Sequence, residues 1–252
     1  MTGFQTSTDN ARARGTRRFR LDPWTAGAFV ITAIVALPIL TVLGAAFLPT
    51  ENIWPHLWET VLPGYIISTL ELMTGVAAGT ILIGVSAAWL VTACSFPGRR
   101  IFKWALVLPL AMPAYVVAYV YTDILEYAGP VQVMLRDVFG WTTSRDYWFP
   151  EIRSLGGAIV VMTMTLYPYV YLLARSAFLE QSSGVGEAAR TLGCSPWAAF
   201  RRVSLPMARP SIVVGVAMVL METLNDFGTV DFFAVQTLTT GMFNVWLVMN
   251  NT

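Results

Sequence analysis

The chain has 252 residues, of which 56% are apolar, 13% aromatic and only 12% charged, against a usual charged fraction of about a quarter. This composition excludes an ordinary soluble domain and predicts an all-α integral membrane protein, a polytopic bundle of transmembrane helices. A formal net charge of +1 argues for neither a nucleic acid nor an acidic partner.

Residues 1–23 are polar, rich in arginine and without periodicity, the pattern of a solvated cytoplasmic tail whose arginines anchor topology. Residues 24–252 are read as one membrane domain. Its first apolar run, 25–47, follows basic residues but exceeds the length of a signal-peptide core, so an uncleaved first span is expected. Pro49, Pro55, Pro63, Trp54 and Trp58 between the first two runs suit an outer interface. The single histidine, His56, lies there as a bystander.

The second run, 66–93, carries Gly75 and Gly79 on one helix face, which predicts close helix packing within the subunit. Phe96-Pro97-Gly98-Arg99-Arg100 then makes a short turn. In the third run, 104–124, Tyr115, Tyr119 and Asp123 recur at i, i+4 and i+8 with Glu126 beyond them, a polar stripe that Glu71 of the second run can join. Residues 127–154 form an external segment with Trp141, Tyr147 and Trp148, either a docking surface or a packed cap. A fourth run covers 155–174.

Residues 175–209 read as a cytoplasmic loop of two short helices. Glu187-Ala188-Ala189 favours the first, Gly193 supplies a turn at positive φ, and Ser195-Pro196 provides N-cap and first position for the second, which Leu205-Pro206 ends. A helix of small residues with Glu187 as polar anchor can enter a partner's groove as a rigid rod. The fifth run begins at Pro210 and stays apolar to Leu224, a rise of only ~22 Å. Glu222 and Asp226 are therefore expected within the outer half of the bilayer, where an ionisable group marks a transport path or a hydrogen bond between helices.

Alternating the spans from a cytoplasmic N-terminus leaves only Arg136, Arg145 and Arg153 outside among 16 lysines and arginines, as the positive-inside rule expects. Cys94 and Cys194 both fall on the inner side, so no disulfide framework is implied. Enzyme classes fare poorly. The sole lysine, Lys103, stands in Phe102-Lys103-Trp104 and not in a phosphate-binding loop, and one histidine cannot build a zincin site. No metal site or cofactor of the chain's own is predicted.

The spacing Glu187-Ala188-Ala189, three residues, Gly193, nine residues, Val203, Ser204, Leu205-Pro206 resembles the EAA loop of binding-protein-dependent ABC importer permeases, with Val203 at the position of an isoleucine. Residues 221–241, METLNDFGTVDFFAVQTLTTG, resemble the segment after that loop in ferric-iron importer permeases. The resemblance implies that the loop is a coupling helix on a cytoplasmic ABC ATPase dimer, which binds the ATP. It further implies an extracytoplasmic substrate-binding protein, a second permease half or subunit, and a bacterial or archaeal plasma membrane whose lipid surrounds the bundle. Carboxylate and phenol oxygens of Glu222, Asp226, Asp123, Tyr119, Tyr115 and Glu71 suit a hard trivalent cation, and a path should hold its cargo weakly. Permeases for polyamine, sulfate or phosphonate share the scaffold, and a secondary transporter fragment is the competing class. Five spans are apparent where the family pattern has a sixth, so a fragment or a partner-supplied helix is expected.

Overall fold

The computed structural model describes residues 23–45, 54–181, 191 and 193–248, and no strand occurs among them. Helix α1, Pro23–Ala45, belongs to one compact unit, Met1–Glu51, and the elements from Asn52 to Asn251 belong to a second. Its 23 residues rise ~34 Å, enough for a ~30 Å hydrocarbon core, and it is apolar all round, with mean hydropathy 2.5.

The second unit is built on α3, Leu62–Ala93, and α7, Leu155–Glu180, preceded by the short α2, Trp54–Thr60. Small residues explain how α3 and α7 pack. A Cβ on Gly75 would meet Ile159 Cδ1 at 2.6 Å, one on Gly79 would meet Thr163 Oγ1 at 2.6 Å, and one on Gly84 would meet Val170 Cβ at 2.9 Å. The contacts climb both helices in the same direction, so α3 and α7 run parallel. This is the close packing expected of Gly75 and Gly79, with dispersion replacing a hydrophobic drive that lipid cannot supply. Leu72, Val76, Val161, Met162, Val170 and Tyr171 fill the seam.

The third apolar run is not a straight helix. Helix α4, Arg99–Ala105, leads into a 3-10 turn, Leu108–Ala111, and α5, Ala114–Leu125, follows after a break at which the path bends by 98°. Pro113 has no N–H to donate and disfavours a helical residue before it, and Met112 is accordingly extended at φ −115°, ψ 133°. Helix α6, Pro130–Phe139, then ends at Gly140 with φ +70°.

The fifth run also departs from its expected bounds. Helix α8, Pro196–Ala199, a π-helical turn, Phe200–Ser204, and α9, Leu205–Asn225, follow one another without interruption as a 30-residue span. Leu205-Pro206 does not end a helix, and Pro210 lies inside one. The π turn accounts for this: the Leu205 N–H reaches back five residues to the Phe200 carbonyl, and a widened turn relieves the clash of a proline ring with the carbonyl four residues earlier. Helix α9 runs antiparallel to α7, since Ser204 lies beside Gln181 and Gly215 beside Val170. Two short helices, α10, Gly228–Phe232, and α11, Leu238–Phe243, close the described chain, with a final π turn at Asn244–Val248.

Candidate functional site

Those of the functional residues expected from sequence that the structure describes fall at opposite ends of the α3, α7 and α9 bundle. At the end where α3 and α7 finish stands the loop. Glu187, Ala188 and Ala189 lie outside the described residues. Gly193 adopts φ +86°, and a Cβ there would meet nothing within 4 Å, so conformation alone selects glycine. Ser195 caps α8 by accepting from the Ala198 N–H at 3.2 Å, and Pro196 takes the first position. The turn and cap are as expected, whereas Leu205 and Pro206 open α9. Gln181 Nε2 donates to the Ser204 carbonyl at 2.9 Å, pinning the end of α7 to the start of α9.

The loop is joined to the bundle by rings. Phe200, 9% exposed, packs 4.8 Å from Trp89 of α3, 6.1 Å from Phe178 of α7 and 5.3 Å from Trp197. Arg99 donates to the carbonyls of Val91 and Thr92, satisfying acceptors that the end of α3 leaves open.

At the other end, α5, α9 and α10 bring Tyr115, Tyr119 and Asp226 into one neighbourhood. A Cβ on Gly228 would lie 3.1 Å from Tyr115 Cβ and 3.9 Å from Asp226 Oδ1, and the Tyr119 ring stands 6.0 Å from that of Phe232. Asp226 Oδ1 accepts from the Thr229 N–H at 2.8 Å, while Oδ2 is buried without a hydrogen-bond partner. The thirty-residue span places Glu222 one turn before its end and Asp226 just beyond it. The short-helix argument for their depth therefore fails. Glu71, Asp123 and Glu222 are exposed, and their carboxylates make no hydrogen bond or ion pair among the described residues. No group of three metal-ligating side chains gathers among the described residues.

Glu126 does not continue the stripe as a free group, because it pairs with Arg153 at 3.3 Å, and the same guanidinium lies 5.1 Å from the centre of the Phe232 ring. This link between Glu126, Arg153 and α10 carries no local sequence signal. Residues 127–147 are held together by their own contacts. Tyr147 donates to Gln132 Oε1 at 2.6 Å, Gln132 Nε2 donates to the Leu125 carbonyl at 2.8 Å, and Arg136 lies over the Tyr127 ring. A cavity of about 480 Å³ opens between Glu126, Gln132, Tyr147, Trp148 and Arg153. On the same segment, the N–H groups of Thr143 and Thr142 hold the Asp146 carboxyl below its ordinary value of 3.8.

Comparison with known proteins gives the family. Residues 80–244 match the family described as binding-protein-dependent transport system inner membrane component. The molybdenum transport system permease protein ModB of Escherichia coli is 29% identical over 171 residues, 68% of this chain and 69% of that one. The probable sulfate transport system permease protein of Chlorokybus atmophyticus is 27% identical over 212 residues, 82% and 70% of the two chains. Among solved structures, a bacterial alginate ABC transporter, in complex with an alginate pentasaccharide-bound periplasmic protein, aligns over 90% of this chain and 84% of that one. Its TM-score is 0.68 at 17% identity, a likeness of fold.

Proposed function

Because this chain belongs to the inner membrane components of binding-protein-dependent transport systems, we propose that it lines one side of an ABC importer's translocation path, with residues 175–209 resting on a cytoplasmic ATPase. The observation that carries the reading is the loop itself. The spacing from Glu187 to Pro206 follows α7 in the chain and ends in the first turn of α9, the two long helices that Gln181 and Ser204 tie together. A load applied to that loop acts on both. The N-terminus is assigned to the cytoplasm, since that leaves only Arg136, Arg145 and Arg153 outside. A second permease subunit completes the path, and a binding protein delivers cargo to the outer face.

The cargo reading is ferric iron. Its support is the likeness of residues 221–241 to ferric-iron permeases, together with exposed oxygen groups on Tyr115, Tyr119, Asp123 and Glu222 near one end of the bundle. A tetrahedral oxyanion is the second reading, favoured by relatives that are named as molybdenum and sulfate permeases.

Coexpression with the neighbouring ATPase and binding protein tests both levels, using radiolabelled ferric iron, molybdate and sulfate. Accumulation of iron that Glu187→Lys abolishes, with loss of the co-purifying ATPase, is the expected result. ATPase retention with molybdate or sulfate accumulation keeps the permease and replaces the cargo. A wild-type chain that retains no ATPase overturns the permease reading.

A further inference from the structure

Three features at the loop end bear on how force enters the membrane domain. First, α3 and α7 form a stiff pair: at Gly84 a Cβ would approach the Tyr167 carbonyl and the Tyr171 N–H at 3.0 Å, so the two backbones are nearly in contact. Second, the chain between the loop and α9 is compliant. The π turn Phe200–Ser204 lacks regular four-back bonding, and Pro206 and Pro210 each remove an N–H from the first turns of α9. Third, one buried ring bridges the compliant segment to the stiff pair. Phe200, the first residue of the π turn, sits between Trp89 of α3 and Phe178 of α7, while Trp197 on the same face remains 60% exposed.

A displacement of the chain before Gly193 can reach α9 through the backbone. It reaches α7 through the backbone as well, because the loop follows Glu180, but it can reach α3 only through contacts, and Phe200 against Trp89 supplies one. We infer that Phe200, clasped by Trp89 and Phe178, is the joint that transmits loop movement to α3, and that the π turn with Pro206 lets α9 tilt by a different amount. Phe200 and Trp89 are positioning residues on this view, with no contact to cargo or nucleotide. The inference rests on the permease reading, and it assigns a task to residues outside the Glu187-Ala188-Ala189 pattern.

The test is the ratio of ferric iron transported to ATP hydrolysed by the full complex in proteoliposomes. Phe200→Ala and Trp89→Ala should each lower that ratio about three- to tenfold, the factor corresponding to loss of one aromatic contact, while the ATPase still co-purifies and hydrolyses ATP. Trp89→Phe, which keeps a ring, should restore most of the ratio. The double alanine variant should fall no further than the worse single one, because both remove the same contact. An unchanged ratio in Phe200→Ala overturns the joint. So does a proportional loss of transport and hydrolysis with loss of the ATPase, which marks a structural role. Failure of the wild-type complex to retain an ATPase instead overturns the underlying permease reading.

Discussion

Asp226 accepts a hydrogen bond from the Thr229 N–H at 2.8 Å, and this contact fixes the corner between α9 and α10. The carboxylate thus has a structural task through Oδ1, while Oδ2 is left buried without a partner. The two tasks separate by substitution. Asp226→Ala removes cap and charge and should destabilise by about 1 kcal/mol. Asp226→Asn keeps an acceptor toward Thr229 and should unfold thermally like the wild type, yet transport less cargo. Wild-type uptake in a well-folded Asp226→Asn variant removes the charge from the mechanism.

The glycines of α3 should not respond alike. At Gly75 an added Cβ meets only the Ile159 side chain, whereas at Gly84 it meets the backbone of Tyr167 and Tyr171. Ile159 can adjust its rotamer at a cost of about 0.5–1.5 kcal/mol, and alanine gains about 1 kcal/mol of helix propensity over glycine. Gly75→Ala should therefore be nearly neutral. Gly84→Ala has no flexible neighbour to displace and should lose about 1–3 kcal/mol. Thermal unfolding in detergent ranks the two, and the reverse order contradicts the parallel register of α3 on α7.

Local chemistry explains which parts of this arrangement were legible. The Gly193 turn and the Ser195-Pro196 helix start depend on neighbours in sequence, and both stand as expected. The Gly75 and Gly79 face was legible because period alone places two small residues together. Proline misled in both directions. Pro113 breaks a run whose apolarity suggested one helix, while Pro206 and Pro210 are absorbed beside a π turn that composition does not reveal. The ring contact of Phe200 with Trp89 and the Glu126 pair with Arg153 join residues far apart in sequence. Periodicity is blind to such pairs, so the carboxylate stripe on α5 read longer than it is.

Thr69 links α3 to the segment that follows α10. Its hydroxyl donates to the Tyr65 carbonyl at 2.6 Å and accepts from the Leu238 N–H at 3.0 Å. Thr69→Val preserves shape and leaves that partly buried N–H unsatisfied, a loss of about 1–3 kcal/mol. Thr69→Ser retains both bonds and should behave as the wild type. Thermal unfolding of the two variants in detergent, with limited proteolysis to locate the loosened segment, checks the link. Equal stability of the valine and serine variants contradicts it.

The turn at residues 142–146 should be sensitive to acid. Asp146 accepts from the N–H groups of Thr142 and Thr143 at 2.9 and 2.8 Å, and these bonds hold its carboxyl below the ordinary 3.8. For a carboxylate depressed in the folded state, the stabilisation is fully present above the unfolded value and is lost as pH falls through the folded value. The turn should therefore be intact at neutral and mildly acidic pH and should open only below 3.8. Protection of the Thr142 and Thr143 amides, corrected for intrinsic exchange, should be full at neutral pH and fall as the pH is taken below 3.8. Asp146→Asn, which cannot ionise, should show weaker protection that does not change over that range. Wild-type protection that stays constant over that fall in pH would mean that the carboxylate does not hold the turn.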